Sequence, residues 1–420
     1  MNRAVPMGDY RVVCPKCGQD RDLYALRCPN DDSLLKTVYS LRQLVPRPYP
    51  GMWRFFDWLP VKGILDEAHS GPVTYKSEGL AKQIGLEELY ITFNGYWPER
   101  GADMLSCSFK ELEALPTMRR LEEQGESKIL VVATAGNTGR AFSYIASLIG
   151  RPVVIVVPWD CHSRIWIPNV ERNKVLVVAV QGDYYDAIVL GDRLAALPGF
   201  APEGGARNVA RRDGMGTVVL DAVQTIGSLP RHYFQAVGSG TGGISACEAS
   251  QRLIEDGRFG DTLPVLHLAQ NIPCAPLFHA RYGVSFPRSC PQGIFDDVLF
   301  NRRPPYDLPG GVKEVLDRTG GEVVGITNDE AAAAKRLFEE VEGIDILPAP
   351  AVAVAALMKS ALSDGVRAGE KCLLNITGGG QARVRESHGI TVLAPDWTVR
   401  PDQDAEELGR EIMEASGRRN

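Results

Sequence analysis

The stretch ILVVATAGNTGRAFSYIASLIG, residues 129–150, decides the fold class of this chain. It begins with an apolar run of strand length, passes through a turn of small residues and continues with apolar residues at helical spacing. Glycine in the turn lets the backbone bend sharply where the strand ends. A buried strand that leads directly into an amphipathic helix is typical of an α/β protein with a parallel sheet.

The same alternation of strand and helix extends along most of the chain. Apolar runs of strand length predict buried strands at 89–93, 129–134, 153–157, 175–180, 233–237, 265–269, 322–326 and 371–376. Amphipathic stretches predict helices at 140–149, 217–229, 244–256, 329–341 and 351–362. Because buried strands alternate with helices, we expect parallel sheet covered on both faces. The length of 420 residues suggests two or three domains.

Composition and charge exclude several classes of protein. Hydrophobic residues make up 44% and charged residues 23%, so the chain is not disordered, collagenous or a coiled coil. A net charge of -6 provides no general positive field for nucleic acid or an anionic membrane. No apolar run approaches the roughly 20 residues that span a bilayer, and the N-terminus lacks a secretion signal. Nine cysteines do not form a disulfide framework in a chain of this length, so we expect a cytoplasmic protein.

The N-terminal segment carries half of a zinc-binding pattern. Cys14 and Cys17 belong to CPKCG, and Cys28 begins CPND. Two cysteines at this spacing can bind adjacent corners of a tetrahedral zinc ion, but a complete site needs a second pair. Asp31 or Asp32 stands where the fourth sulfur is expected. Two alternatives stay open, a site with three cysteines and an aspartate, or a ribbon that no longer binds metal.

Two passages fall outside the alternating pattern. Residues 44–60 are rich in proline and aromatic side chains, which predicts an arm packed across the main body. Residues 286–311 form a long irregular passage, for which a lid, a substrate loop and a subunit contact are all open.

A glycine cluster, VGSGTGG at 237–243, lies between a predicted strand and a predicted helix. Backbone N–H groups at such a junction bind an anion, and the spacing formally matches GxGxxG. A dinucleotide site also needs an acidic residue at the end of the next strand, which here ends in Gln270 and Asn271. The loop therefore predicts a phosphate site more clearly than a site for NAD. A tight turn that only packs a helix on a sheet is the structural alternative.

Three further clusters carry polar groups at similar junctions. TAGNTG at 134–139 offers neutral donors that suit a carboxylate or a phenolic oxygen, and TGGG at 377–380 follows the last predicted strand. SCSFK at 106–110 places Lys110 ahead of a helix, where a lysine considered alone is typical of the surface. Each cluster alone is weak evidence for a binding site, but the four clusters in this order along the chain are far more specific evidence for one protein family.

In this order the four clusters resemble the fold type II pyridoxal-phosphate enzymes, the relatives of threonine synthase and cysteine synthase. The nearer likeness is to threonine synthase, through CPKCG, the passage MWRFFDWLPV at 52–61 and DGMGT at 213–217. The resemblance implies two open twisted α/β domains with the cofactor between them and a short ribbon-like N-terminal segment. It divides the chain into a ribbon-like segment at 1–43, a large domain at 44–110 and 208–400, a small α/β domain at 111–207 and a C-terminal tail at 401–420.

The resemblance also implies a role for each motif. Lys110 would carry pyridoxal 5'-phosphate as a Schiff base, Asn137 would bond its phenolic oxygen and Thr377 would face its pyridine nitrogen. Burial lowers the pKa of a lysine and makes it a nucleophile and a proton shuttle. The residues expected to cradle the cofactor phosphate are Gly238, Ser239, Gly240, Thr241 and Gly242. Those expected to hold the substrate are Thr134, Ala135, Gly136, Thr138, Arg140 and Arg164.

The sequence departs from threonine synthase around the lysine. Threonine synthases have NPTGSFKDR there, whereas this chain has GADMLSCSFKEL at 101–112. This altered substrate side beside unchanged cofactor motifs resembles the cysteate synthases. The likeness implies a homo-oligomeric enzyme that makes L-cysteate from O-phospho-L-serine and sulfite for coenzyme M. The alternatives are threonine synthase, which acts on O-phospho-L-homoserine, and another β-replacement enzyme.

Anionic substrates require cations in the site. Arg140 opens the helix after the Asn137 turn and Arg164 follows a strand end, so these two are preferred over His162, Arg207 and Arg211.

Other classes of protein explain fewer of the motifs in this chain. A Rossmann dehydrogenase accounts for GSGTGG but not for Lys110, and a zinc-ribbon nucleic-acid module accounts for CPKCG but not for the acidic balance.

Overall fold

The structure is a computed structural model that describes residues 9–272, 274–283, 293–301, 304, 306–363 and 365–418. Its strands are β1 (Tyr10–Val13), β2 (Asp20–Arg21), β3 (Lys36–Tyr39), β4 (Val73–Lys76), β5 (Leu89–Phe93), β6 (Tyr96–Trp97), β7 (Ala102–Asp103), β8 (Ile129–Ala133), β9 (Val153–Pro158), β10 (Trp166–Pro168), β11 (Val175–Val180), β12 (Phe200–Pro202), β13 (His232–Ala236), β14 (Val265–Asn271), β15 (Glu322–Ile326), β16 (Cys372–Ile376), β17 (Ile390–Val392) and β18 (Trp397–Val399). Its α-helices are α1 (Gly79–Ile84), α2 (Glu111–Glu123), α3 (Asn137–Ile149), α4 (Tyr184–Ala195), α5 (Val209–Ile226), α6 (Thr241–Asp256), α7 (Pro276–Tyr282), α8 (Val312–Thr319), α9 (Asn328–Glu342), α10 (Pro348–Leu362), α11 (Gln381–Ser387) and α12 (Ala405–Arg418).

Two sheets organise the molecule. The larger sheet has six strands in the order β15-β14-β13-β16-β5-β4, all parallel to their neighbours except β4, which runs antiparallel to β5. The smaller sheet has five parallel strands in the order β12-β8-β9-β11-β18. Every residue of β9 and β11 is buried, as expected for strands covered by helices on both faces. The predicted α/β fold with two open sheets is confirmed.

All eight predicted strands are present, and their bounds differ from the prediction by two residues at most. The helix predicted at 217–229 differs more, because α5 already begins at Val209, where the Asn208 side chain accepts a hydrogen bond from the Ala210 N–H at 3.0 Å. Gly214 lies where α5 crosses α2, and a Cβ there would come within 1.8 Å of the Leu112 carbonyl oxygen. The DGMGT motif therefore permits a close helix crossing.

The C-terminal part of the chain returns to the smaller sheet. Strand β18 pairs with β11, and β17 pairs with β10. Within residues 390–399, β18 therefore extends the smaller sheet, and β17 forms a two-stranded sheet with β10. The predicted tail at 401–420 contains helix α12, which packs against α4.

The N-terminal segment and the arm attach to this body. Strands β2-β1-β3 form a small antiparallel sheet whose core includes Val209 at the start of α5. The arm contains a 3-10 helical segment, Gly51–Trp58, and buries Trp53, Phe55 and Trp58. None of the described helices is long and apolar enough to cross a membrane.

Candidate active site

A cavity lies between the two sheets, at the carboxyl ends of their parallel strands. Its wall contains the turn between β8 and α3, the turn between β13 and α6, Thr377 after β16 and Lys110 before α2. Ligands of open α/β sheets bind at such strand ends. Of the predicted site residues, the cavity wall includes Lys110, Thr134, Ala135, Gly136, Asn137, Thr138, Gly238, Ser239, Gly240, Thr241, Gly242 and Thr377.

Lys110 presents its amine to this cavity. Its side chain is only 19% exposed, and its Nζ lies 2.5 Å from Glu113 Oε1, one helical turn further along the chain. Burial lowers the pKa of Lys110, and the Glu113 carboxylate opposes that shift. A buried amine beside a carboxylate can serve as a nucleophile and exchange a proton.

Glu113 links Lys110 to a second cation. Arg211, on α5, lies 2.9 Å from Glu113 and 2.6 Å from Glu203. Burial disfavours the charged guanidinium, but the two carboxylates outweigh burial and raise the pKa of Arg211. Arg211 and Tyr184 also line the cavity. Position in the sequence favours Arg140 and Arg164 over Arg211 and does not identify Glu113, although the spacing of three residues between Lys110 and Glu113 on a helix is an available signal.

The turn after β8 is shaped by one threonine and two glycines. Thr134 Oγ1 accepts hydrogen bonds from Gly136 N at 2.9 Å and Gly139 N at 3.0 Å. Gly136 has a φ of +143°, and a Cβ on Gly139 would come within 2.4 Å of Thr134 Cγ2. Helix α3 begins at Asn137, and its N-terminus lies at the cavity. Such a helix end favours a carboxylate or another anion.

The turn after β13 forms the second N-terminus at the cavity. Gly240 has a φ of +81° and directly precedes α6, a helix of 16 residues. A Cβ on Gly242 would lie 1.9 Å from Gln235 Nε2, so only glycine fits without displacement. Ser239 and Thr241 hydroxyls are 2.8 Å apart. Backbone N–H groups, hydroxyls and the helix dipole together suit a phosphate group.

The loop that carries Lys110 is held against the TGGG segment. The Phe109 N–H donates to the Thr377 carbonyl at 3.1 Å, and a Cβ on Gly378 would lie 2.6 Å from the Cys107 carbonyl oxygen. Glu111 fixes the loop from the other side, because it accepts hydrogen bonds from Ser70 Oγ and Ser106 N, both at 2.5 Å. The residues that depart from the threonine synthase pattern therefore position the lysine loop.

The two preferred arginines are absent from the cavity wall of the described residues. Arg140 is buried, donates to the Ser106 carbonyl at 2.6 Å and to Asn137 Oδ1 at 2.9 Å, and burial lowers its pKa to about 10. Arg164 pairs with Asp296 at 2.9 Å and with Asp297 at 2.8 Å. Proximity in sequence therefore identified neighbours of the site, whereas Arg211 lines it.

The passage 286–311 lies partly outside the described residues. Its described part includes a short 3-10 helix, Asp297–Leu299, and Val298, Leu299 and Asn301 line the cavity. The described part of this passage thus contributes to the site wall.

The predicted metal ligands lie together in the N-terminal segment. Cys14, Cys17, Cys28 and Asp31 offer ligand atoms that are all within 4.8 Å of one another. Asp32 instead pairs with Arg207 at 2.8 Å.

The residues at the cavity fit pyridoxal 5'-phosphate. They provide a largely buried amine on Lys110, a glycine-rich turn at the N-terminus of α6 in which Gly242 packs too closely on Gln235 to carry a Cβ, and a threonine after β16. The glycine turn and the amine line one cavity, as a phosphate and an aldehyde on one small ring require.

Comparisons with known proteins agree with this fit. Residues 73–378 match the family model described as "Pyridoxal-phosphate dependent enzyme". A curated cysteate synthase of Methanococcoides burtonii is 57% identical over 95% of this chain and 96% of its own length. Those of Methanothrix thermoacetophila and Methanocella paludicola are 52% and 49% identical, over 95% and 97% of this chain and 98% of their own lengths.

Solved structures share the fold. A pyridoxal 5'-phosphate-dependent aspartate racemase has a TM-score of 0.57 at 17% identity, over 74% of this chain and 90% of its own. Maize serine racemase has a TM-score of 0.57 at 15% identity, over 74% and 89%. The chain belongs to the pyridoxal-phosphate dependent enzymes and, within them, to the cysteate synthase family.

Proposed function

We propose that this enzyme makes L-cysteate by β-replacement, with O-phospho-L-serine as the donor and sulfite as the nucleophile. The observation that carries the proposal is the similarity to cysteate synthases over nearly the whole chain. In the reaction the Cβ–O bond to phosphate breaks and a Cβ–S bond to sulfite forms. The proton removed from Cα returns to Cα, so the reaction needs no oxidant or reductant. L-cysteate made in this way would enter coenzyme M biosynthesis.

The cofactor would be held by the two turns and by the strand end after β16. Gly238, Ser239, Gly240, Thr241 and Gly242 would bind its phosphate at the N-terminus of α6. Asn137 and Thr377 would contact its ring, and Lys110 would be the covalent link. When bound, pyridoxal phosphate supplies an electron sink for the negative charge that develops at the substrate Cα.

The chain's own residues would bind the donor and move its proton. The N–H groups of the turn formed by Thr134, Ala135, Gly136 and Thr138 suit the substrate carboxylate, since a helix N-terminus favours an anion. Lys110 would remove the Cα proton and later return it. Glu113, at 2.5 Å from Nζ, would hold the amine in place between these transfers.

Arg211 is the best candidate for the cation that attracts the phosphate group or sulfite. It lines the cavity and also pairs with Glu113 and Glu203, whereas Arg140 and Arg164 are absent from the cavity wall among the described residues. The guanidinium carries a permanent charge and several donors, which suits oxyanions of phosphorus and sulfur.

The visible spectrum of the holoenzyme tests the proposal. O-phospho-L-serine should change the cofactor absorption, and sulfite should then restore the starting spectrum. O-phospho-L-homoserine at the same concentration should leave the spectrum unchanged or change it without turnover. A spectrum indifferent to O-phospho-L-serine, with threonine formed from O-phospho-L-homoserine, would instead identify a threonine synthase.

We further propose that the enzyme acts on small molecules alone, as a homo-oligomer in the cytoplasm. The net charge of -6 supports the lack of a nucleic-acid partner, because it provides no general positive field. Sedimentation of the holoenzyme would give the oligomeric state directly.

A further inference from the structure

We infer that the N-terminal segment binds a zinc ion through Cys14, Cys17, Cys28 and Asp31, with Asp31 in the position of a fourth cysteine. The ligand atoms of these four residues lie within 4.8 Å of one another. Three sulfurs with one carboxylate form a donor set that favours zinc over magnesium or calcium.

The separation between Cys17 and Cys28 and that between Cys14 and Asp31 match a tetrahedral zinc centre. Bonds of about 2.3 Å to sulfur and about 2.0 Å to oxygen place two sulfurs about 3.8 Å apart, and a sulfur and an oxygen about 3.5 Å apart. Cys17 Sγ and Cys28 Sγ are 3.8 Å apart. Cys14 Sγ lies 3.5 Å and 3.4 Å from the two carboxylate oxygens of Asp31.

The two halves of the site have the same backbone geometry. In the first half Gly18 N donates to the Cys14 carbonyl at 2.9 Å, and Cys14 N donates to the Gln19 carbonyl at 3.0 Å. The second half repeats both bonds with the same spacing, from Asp32 N to the Cys28 carbonyl at 3.0 Å and from Cys28 N to the Ser33 carbonyl at 3.4 Å. The repeat places the residue three positions after Cys28 where Cys17 stands in the first half, and that residue is Asp31.

The repeat also decides between the two aspartates. Asp32 corresponds to Gly18, and both have left-handed backbones, with φ of +58° and +69°. The Asp32 side chain pairs with Arg207, while Asp31 Oδ1 accepts a hydrogen bond from Ser33 N at 3.1 Å. Asp31 is therefore oriented toward the sulfurs and Asp32 away from them.

A nearby cation compensates the charge of this ligand set. Three thiolates and one carboxylate exceed the charge of Zn²⁺ by two. Arg21 Nη2 lies 3.1 Å from Cys17 Sγ and 3.0 Å from Cys28 Sγ, where it donates to both sulfurs. Donors of this kind in the outer shell of a metal site orient and stabilise its ligands.

The segment has a structural need for a metal. Its sheet consists of strands of 4, 2 and 4 residues. The buried cluster around it contains Tyr10, Val12, Cys14, Cys28, Leu35 and Val209, and the last belongs to α5. Small segments with so little core commonly depend on metal or disulfides. Zinc would hold this segment against the start of α5.

Metal content of the holoenzyme, purified under reducing conditions and then given zinc and dialysed, tests the inference. The unmodified protein and the control variant Asp32→Asn should contain about one zinc per chain. Asp31→Ala should bind zinc at least about tenfold more weakly against a competing chelator. Asp31→Cys should bind it more tightly than the unmodified protein, which distinguishes a lost ligand from a misfolded segment.

Cobalt provides a second measurement independent of enzyme activity. Co²⁺ in the same site should show tetrahedral d–d absorption and a thiolate charge-transfer band, both weakened in Asp31→Ala. The inference is overturned if the reduced protein takes up neither metal. It is also overturned if Asp31→Ala and Asp32→Asn bind zinc equally, or if Cys17 and Cys28 are joined by a disulfide in protein isolated under anaerobic conditions.

Discussion

Lys110 Nζ lies 2.5 Å from a carboxylate oxygen of Glu113, and the other oxygen of that carboxylate lies 2.9 Å from Arg211. Glu113 therefore bridges two cations at the cavity. Its side chain is fully buried, so the bridge operates where electrostatic interactions are strong. Burial lowers the pKa of Lys110 and Glu113 raises it, so the carboxylate sets how readily the amine becomes neutral.

Replacing Glu113 should make the Lys110 amine neutral at lower pH. In Glu113→Gln the opposing carboxylate is lost and the nearby Arg211 charge remains, so the pKa of Lys110 should fall further. Because only the neutral amine attacks an aldehyde, cofactor uptake by the apoprotein should extend to lower pH. The measurement is the rate at which visible absorption appears as a function of pH. Glu122→Gln, on the exposed side of the same helix, should keep the pH dependence of the unmodified protein. The same pH dependence in both variants would contradict the proposed effect of Glu113 on Lys110.

Removing the Lys110 amine should abolish the reaction. Lys110→Ala eliminates both the covalent link and the proton shuttle, so turnover should fall by at least about a thousandfold. The variant should also lose the visible absorption typical of lysine-bound cofactor. Lys82→Ala is the matched control, since Lys82 is exposed on α1. A Lys110→Ala protein that retains turnover would place the chemistry elsewhere.

The glycine cradle should be intolerant of a single methyl group. In Gly242→Ala the new Cβ would lie 1.9 Å from Gln235 Nε2, so the turn must shift. Overpacking of this kind costs about 1–3 kcal/mol, which corresponds to roughly a 5- to 150-fold loss of affinity if it falls on cofactor binding. Titration of the apoprotein with pyridoxal phosphate measures this affinity. Gly369→Ala has no atom within 4 Å of its new Cβ and should bind normally; equal affinities would show that the turn does not hold the phosphate.

Glu111 should make stability depend on pH. Burial raises the pKa of Glu111 to about 7 from an ordinary value of 4.5. The folded protein then keeps a proton that the unfolded chain releases, so the free energy of unfolding should fall by about 3 kcal/mol as the pH rises through this interval. Glutamine cannot ionise. The free energy of unfolding of Glu111→Gln, relative to that of the unmodified protein, should therefore be more favourable at about pH 8 than at about pH 5. Urea unfolding at both pH values measures the difference, and an equal difference at both would refute the assignment.

The sequence predicted the strands and the turns at their ends well for a physical reason. Buried parallel strands such as β9 and β11 are apolar throughout, and glycines at strand ends mark turns that no other residue can form. The turns after β8 and β13 therefore appear directly in the sequence, and their order along the chain makes Lys110 a candidate.

The electrostatic partners and the sheet edge were harder to predict. Arg211 lies on α5, and only the crossing of α5 and α2 at Gly214 brings it to Glu113. Arg140 and Arg164 are closer to the turn in sequence but bind other groups. Strand β18 has three residues, too few for a periodicity, and its pairing with β11 depends on a contact between distant parts of the sequence.

We propose above that this enzyme joins sulfite to Cβ of O-phospho-L-serine. The most direct measurement is mass spectrometry of the products formed by the holoenzyme from O-phospho-L-serine and isotopically labelled sulfite. We predict labelled L-cysteate and one phosphate per cysteate, with no cysteate from Lys110→Ala. Absence of labelled cysteate, together with threonine formed from O-phospho-L-homoserine, would contradict the claim.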